Sequence, residues 1–478
     1  MAEKRGNISR MAMKAMGLFG GVQVMGILCS IIRTKLVALW IGPVGIGLFG
    51  LFNNALEMIS TGTNLGIRSS SVRDISQATE GRDTSLVARM ISVVRKWSLW
   101  LGLAGALLTL SLAPLLSQVT FGDSTHIWGF VVLSIAVLLQ ALTNGEYAVL
   151  QGTARLKRLA SVTLWGTIVG LAVSVPLFYI LRERSILPSI IAYAVALAAF
   201  AWLFRNREYA PVKMTRRETF DMGKGFVRLG IYMTLGNFAS ILASYAFNAW
   251  LNVNAGTETV GFYQAGYTLI NKYTGLILTA LGMEYYPRLA KVAESRMRLR
   301  AYVSQEINVA IAVMAPVVAL FILLREVVVW LLYTPEFNVI LTFISWGMIG
   351  TVLRTLSWCL AFTILAKGDG KTYLWTEVAS AAINLVLNIV FYRWWGLTGL
   401  GIAFLVSYLL YTAIVAVVYF KNYRLSVSTG SLYNLLWTLA VAVAVMVAME
   451  GGQVVIAAVI TAVSLAFATR QVIALWRR

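Results

Sequence analysis

Runs of roughly 18–28 apolar residues recur from end to end of the chain, each long enough to cross, as a helix, a hydrocarbon core about 30 Å thick. They predict 14 spans, over 11–37, 44–66, 97–117, 127–150, 159–181, 186–204, 226–252, 260–283, 306–332, 338–366, 374–395, 398–420, 432–449 and 453–475. A spanning segment must satisfy its own backbone hydrogen bonds, so these runs read as α-helices. Trp97, Tyr179 and Trp330 sit where interfacial aromatics belong. The pattern predicts an all-α polytopic membrane protein with 14 transmembrane helices.

The polar gaps alternate in charge. Of the 40 Lys and Arg residues, 32 fall before the first span, in every second gap, or after the last span, counting those within the last or first two turns of the adjoining spans, such as Lys14, Arg228 and Arg470. The intervening gaps hold only Arg182, Arg184 and Arg393. Positive loops stay in the cytoplasm, which predicts both termini inside. The longest basic gap divides the chain into an N-lobe, 1–205 (helices 1–6), a cytoplasmic linker, 206–225, a C-lobe, 226–424 (helices 7–12), and a terminal hairpin, 425–478 (helices 13–14). The lobes look duplicated. Gly45–Gly50 leads through a span to Leu65-Gly66-Ile67-Arg68, and Val260-Gly261-Phe262-Tyr263 leads through a span to Leu281-Gly282-Met283-Glu284. Both halves begin inside, so they read as parallel repeats about the membrane normal. The hairpin falls outside the duplication, has no charge in the middle of its spans, Arg470 standing near the end of the last, and reads as lipid-facing.

Composition sharpens this picture. The chain is 59% hydrophobic and 13% charged, where soluble domains run near 25% charged. The net charge of +20 lies in short loops flanking apolar runs rather than in a domain of its own. That placement orients helices and meets anionic lipid, and it argues against nucleic acid as a partner. Cys29 and Cys359 both lie in apolar runs, so no disulfide framework is expected, and the single histidine, His126, cannot build a histidine metal site. The polar N-terminus lacks the features of a secretory signal, and the first span is expected to be retained.

Polar residues inside spans are costly in lipid unless they face a cavity or a partner helix. Span one carries Gln23, Ser30 and Arg33 on one face. Span seven carries Asn237, Ser240, Ser244, Asn248 and Asn252, and Arg33 and Asn248 stand 215 residues apart. Helix packing explains such faces in part, and an aqueous cavity between the halves explains the Asn and Glu positions better. Eight basic residues lie off the cytoplasmic side, and five of them are in helices: Arg33, Lys35, Lys272, Arg325 and Arg354. A cation at a helix centre costs about 2.5–3.5 kcal/mol on the insertion scale. Lys272 and Arg354 sit near span midpoints, whereas Arg33, Lys35 and Arg325 can reach an interface. The internal carboxylates are Glu57, Glu146 and Glu377, and Glu57 also matches Lys272 at the repeat offset, which leaves an ion pair between them open. Arg33, Lys35, Lys272, Arg354, Asn237 and Asn248 are the candidate substrate-binding set. Glu57, Glu146 and Glu377 are the candidates for proton or Na⁺ coupling. No metal or other cofactor is expected. An excess of cations suits an anion, and the guanidinium fork suits a diphosphate. No phosphate-gripping glycine loop, nucleophile elbow or paired-carboxylate motif is present, so the inventory points to transport rather than catalysis.

These residues carry a resemblance. Arg33 to Phe49, Leu65-Gly66-Ile67-Arg68 with the serine-rich segment to Ser76, Tyr286-Pro287-Arg288-Leu289 and Leu397 to Ala403 resemble bacterial polysaccharide repeat-unit (O-antigen, Wzx-type) flippases, across about 1–425. The family belongs to the superfamily that also holds multidrug exporters and the lipid II flippase. The resemblance implies two six-helix lobes around a cavity opening alternately to each side of the inner membrane. It implies an oligosaccharide on undecaprenyl diphosphate as substrate, membrane lipids as surroundings and polysaccharide polymerase machinery as a candidate partner. It also implies a cation-lined cavity, a role that Arg33, Lys272 and Arg354 would fill. Fourteen spans rather than 12 is similar to the lipid II flippase, whose extra pair forms a lipid-tail groove. A lipid II-type flippase and a cation-coupled multidrug antiporter are the alternatives.

Overall fold

A computed structural model describes the backbone of residues 2–81 and 83–476, with side chains described except those of 2–20, 226–229, 232–233 and 472–476. It is all-α among the described residues. Two compact units divide at residue 260: Met1–Val260 and Gly261–Arg478.

The first unit contains α1 (Ala2–Trp40), α2 (Pro43–Asn64), α3 (Ile67–Glu80), α4 (Thr84–Phe121), α5 (Ile127–Gly152), α6 (Leu156–Leu181), α7 (Ile186–Leu203) and α8 (Arg216–Ala255). Local chemistry sets the breaks. Gly42 at φ 82 turns the chain before Pro43 opens α2, where a fixed φ suits a first helical turn. Leu65 and Gly66 both adopt left-handed φ, 47 and 63, and end α2. Asp83 caps α4 by accepting from the backbone N–H groups of Ser85 and Leu86 at 3.0 Å. Thr215 and Glu218 form a capping box at the start of α8. α4 and α5 pack closely because Gly145 lies where a Cβ would come within 2.3 Å of the Ser98 hydroxyl. α8 runs beside α2 and α4 in this unit.

The second unit contains most of α9 (Thr257–Val292), then α10 (Arg296–Leu323), α11 (Arg325–Leu332), α12 (Leu341–Ala366), α13 (Gly370–Val417), α14 (Thr429–Glu450) and α15 (Val454–Trp476). α13 is two helical segments meeting at Trp395–Gly396, where Gly396 has φ 57. That break falls between the predicted spans 374–395 and 398–420. α14 and α15 pack against α10. One face of this hairpin is therefore occupied by protein, while Leu436, Val447, Val455 and Val459 are exposed on the other.

Nine helical stretches are long and apolar enough to cross a membrane among the described residues. Two of them, Leu156–Leu203 and Gly370–Asn422, each hold two helical segments. The chain is thus an all-α, multi-pass membrane protein. The predicted spans 44–66, 226–252 and 260–283 lie outside the nine. They carry Asn53 and Glu57, the asparagines of α8, and Lys272, and these residues lower their hydropathy.

Candidate functional site

The first unit encloses a cavity of about 300 Å³ among α1, α2, α5 and α7, reached by Arg68 from the first turn of α3. Arg33, half-buried on α1, holds its guanidinium 4.9 Å from the Phe49 ring centroid and 5.1 Å from that of Tyr193. Arg68 is exposed and lies 5.0 Å from the Tyr147 ring centroid. The left-handed Leu65–Gly66 break starts a new helix at Ile67 and so brings Arg68 to the cavity. Gln140, Asn144 and Tyr147 line the α5 side at helical spacing. Gln140 accepts a 3.0 Å hydrogen bond from Ser60, and Asn53 donates to the Phe49 carbonyl at 2.7 Å. Among the described residues no carboxylate lines the cavity. Among the described residues neither arginine has an acidic partner. Aromatic faces offset part of the lost hydration of a cation. They leave its N–H donors available to an anion with planar oxygens.

The second unit holds a separate cationic position. Arg354, half-buried on α12, donates to Asn271 Oδ1 at 2.9 Å and to the Thr274 hydroxyl at 3.5 Å, with its guanidinium 5.8 Å from the Tyr408 ring centroid. Among the described residues the buried amide nitrogen of Asn271 has no hydrogen-bond partner. Lys272 is exposed on α9, one residue further on.

The other candidates disperse. Lys35 is half-buried on α1 and does not line the first unit's cavity. Asn237 is exposed on α8, whereas Asn248 is buried and donates to the Ser244 carbonyl of its own helix at 2.7 Å. Its stripe-mate Asn252 donates to the Thr120 carbonyl at 2.8 Å, so the C-terminal end of that stripe is a packing face against α4. Glu57 is exposed on α2. Glu377 accepts from the Tyr411 hydroxyl at 2.7 Å. Glu146 is held by Arg95 through Nε–Oε1 at 2.7 Å and Nη2–Oε2 at 2.9 Å. Arg325 is buried and bonds Glu450 at 2.6 Å and the Ser345 hydroxyl at 2.7 Å, which makes it a structural cation. Arg68, Tyr147 and Tyr193 were not among the expected site residues. The Gln140–Asn144–Tyr147 periodicity was available in the sequence and marks the same face.

The fold defines the class: a helical membrane protein with the architecture of the multidrug/oligosaccharidyl-lipid/polysaccharide exporter (MOP) superfamily. An inward-facing multidrug resistance MATE family transporter of that superfamily superposes with a TM-score of 0.69 at 16% identity, over 87% of this chain and 95% of that one. The lipid II flippase MurJ in an inward closed conformation gives 0.68 at 11% identity, over 96% and 100%. The lipid III flippase of Escherichia coli (strain K12) is 23% identical over 390 residues, which cover 79% of this chain and 90% of that protein. The polysaccharide biosynthesis protein family matches residues 75–342, more than half of the chain, and the chain belongs to that family. The resemblance read from Arg33–Phe49 and Leu65–Arg68 is borne out.

Proposed function

We propose that this protein is a flippase that carries an undecaprenyl-diphosphate-linked oligosaccharide, an O-antigen or other polysaccharide repeat unit, from the cytoplasmic to the outer leaflet of a bacterial inner membrane. Both termini are cytoplasmic in this reading, and the substrate crosses by alternating access. Membership of a polysaccharide biosynthesis family and similarity to a lipid III flippase support the substrate class. The observation that carries the reading is the carboxylate-free cavity flanked by Arg33 and Arg68. In this mechanism the guanidiniums take the diphosphate oxygens, and Gln140 and Asn144 hydrogen-bond sugar hydroxyls. Arg354 and Lys272 supply a second set of donors. The polyprenyl tail stays in lipid. A multidrug antiporter for organic cations would need the opposite charge in its cavity.

Coupling to a proton or Na⁺ gradient, where it operates, falls to Glu57 or Glu377, because Glu146 is committed to Arg95. A second reading, a lipid II-type flippase, gains from the apolar groove of about 630 Å³ between α14 and α15, lined by Val443, Val447 and Ile456, which suits a lipid tail. Gene depletion separates the two. Loss of surface polysaccharide in viable cells supports the first, and lysis for want of peptidoglycan precursor supports the second. Normal polysaccharide and normal growth on depletion would overturn both.

A further inference from the structure

The segment after α7, which is cytoplasmic in the orientation proposed above, carries two cations that the transport reading does not use. Trp202, in the last turn of α7, is 58% exposed and stands one residue from the Leu203 end of an apolar stretch, where interfacial aromatics are favoured. The guanidinium carbons of Arg205 and Arg207 lie 5.3 and 5.6 Å from the centroid of its ring.

The residue between them fixes this arrangement. Asn206 is 1% exposed. Its carbonyl accepts from Arg95 at 3.1 Å, and its amide donates to the Thr153 hydroxyl at 3.2 Å. Its side-chain oxygen accepts from the Glu208 backbone N–H at 3.0 Å. With Asn206 pinned inward, the arginines on either side both come over one exposed indole. The only nearby acid in the sequence, Glu208, is taken by Arg155 and Arg158. Among the described residues, Arg205 and Arg207 have no acidic partner. Neither lines the cavity of the first unit.

We propose that Trp202, Arg205 and Arg207 form a headgroup site for a resident anionic phospholipid of the cytoplasmic leaflet. The pair of guanidiniums takes the phosphate and a second headgroup oxygen. The indole and the neighbouring exposed Leu203 carry the upper acyl chain. The charge complements the leaflet, and the position outside the cavity suits a lipid that stays rather than one that is moved.

The test is native mass spectrometry of the full chain titrated with phosphatidylglycerol, with phosphatidylcholine as the neutral control. Each interfacial cation is worth about 1 kcal/mol, so the double variant Arg205→Gln/Arg207→Gln binds phosphatidylglycerol roughly thirtyfold more weakly. The equal-charge control Arg73→Gln/Arg89→Gln binds as the parent does. Arg205→Lys/Arg207→Lys, which keeps the charge, retains most of the binding and separates loss of charge from misfolding. Parent-like binding by the Gln double variant, or equal loss in the control, would overturn the site. Displacement of phosphatidylglycerol by an equal concentration of undecaprenyl diphosphate would overturn its assignment to a resident lipid.

Discussion

Arg95 and Glu146 meet through two parallel hydrogen bonds, 2.7 and 2.9 Å long, that join α4 to α5. The same guanidinium donates to the Asn206 carbonyl, so one side chain ties two helices to the segment after α7. Lys96, its neighbour, donates to the Met214 carbonyl at 2.9 Å, and Trp97 donates to the Thr219 carbonyl at 3.0 Å. The segment joining α7 to α8, with the first turn of α8, is therefore bound along the first third of α4 rather than hanging free.

This pair gives the first prediction. Glu146→Gln leaves a largely buried guanidinium without its counter-charge, a loss on the order of 3 kcal/mol where a buried pair is broken. The expected outcome is a lowered melting temperature in detergent and a lower protein level. Transport per molecule keeps its response to any ion gradient. A variant of parental stability that has lost only the gradient response would instead make Glu146 a coupling residue.

Arg33 and Arg68 give the second. A charged hydrogen bond contributes about 1.5–3 kcal/mol, so Arg33→Ala and Arg68→Ala should each reduce translocation about ten- to a hundredfold at unchanged protein level. Arg33→Lys should recover only part of it, because an ammonium lacks the planar fork. Surface polysaccharide scored beside membrane-fraction immunoblots reads this directly. Undiminished polysaccharide in both alanine variants would remove the cavity from the mechanism.

Much of the architecture was legible in the sequence, and the reasons are local. The Leu65–Gly66 and Trp395–Gly396 breaks coincide with the ends of predicted spans, because a left-handed residue and a change in hydropathy mark the same place. α3 was not legible as a helix. Its Ser, Arg and Asp content reads as a loop, and only its packing against α4, α5 and α8 stabilises it. α10 begins at Arg296, ahead of the predicted 306, because charged turns extend a span into the headgroup region. The site was harder to read. Charge assigned Arg68 to a loop, yet its backbone places it beside Tyr147. Glu146 was visible as a carboxylate within a span, but its partner lies 51 residues earlier and only tertiary pairing reveals it.

Asp369 yields a prediction in pH. It caps α13, accepting from the Thr372 backbone N–H at 3.1 Å and from the Tyr423 hydroxyl at 3.0 Å. The Thr372 hydrogen bonds, with help from Tyr423 and the charge of Lys371, hold its carboxyl below the usual range. A depressed carboxyl contributes stability that is complete above the unfolded value, about 3.9, and is lost as pH falls through the lower folded value. Melting temperature should therefore fall in acid partly through Asp369. Asp369→Asn should lower it at neutral pH and flatten the acid limb, and an acid limb identical to the parent's would exclude the contribution.

The last prediction concerns Arg325 and Glu450. Arg325 is only 4% exposed, and it reaches Glu450 at the end of α14 as well as Ser345 on α12. Thr342 also donates to Glu450, at 3.2 Å. At the other end of the hairpin, Gln471 donates to Asn434, which donates to Asn308 of α10. The hairpin, read from sequence as lipid-facing, is thus fastened to the unit by polar contacts near both ends. Removing Glu450 strands a buried cation whose Nε already has no partner among the described residues. Removing both charges strands nothing. Glu450→Ala should therefore destabilise more than Arg325→Met/Glu450→Leu, by about 1 kcal/mol, because Arg325 is buried while the Glu450 carboxylate is exposed and its attraction is partly screened. A double-mutant cycle in thermal unfolding measures the difference. Equal losses in the single and double variants would mean that the pair is solvated and does not fasten the hairpin.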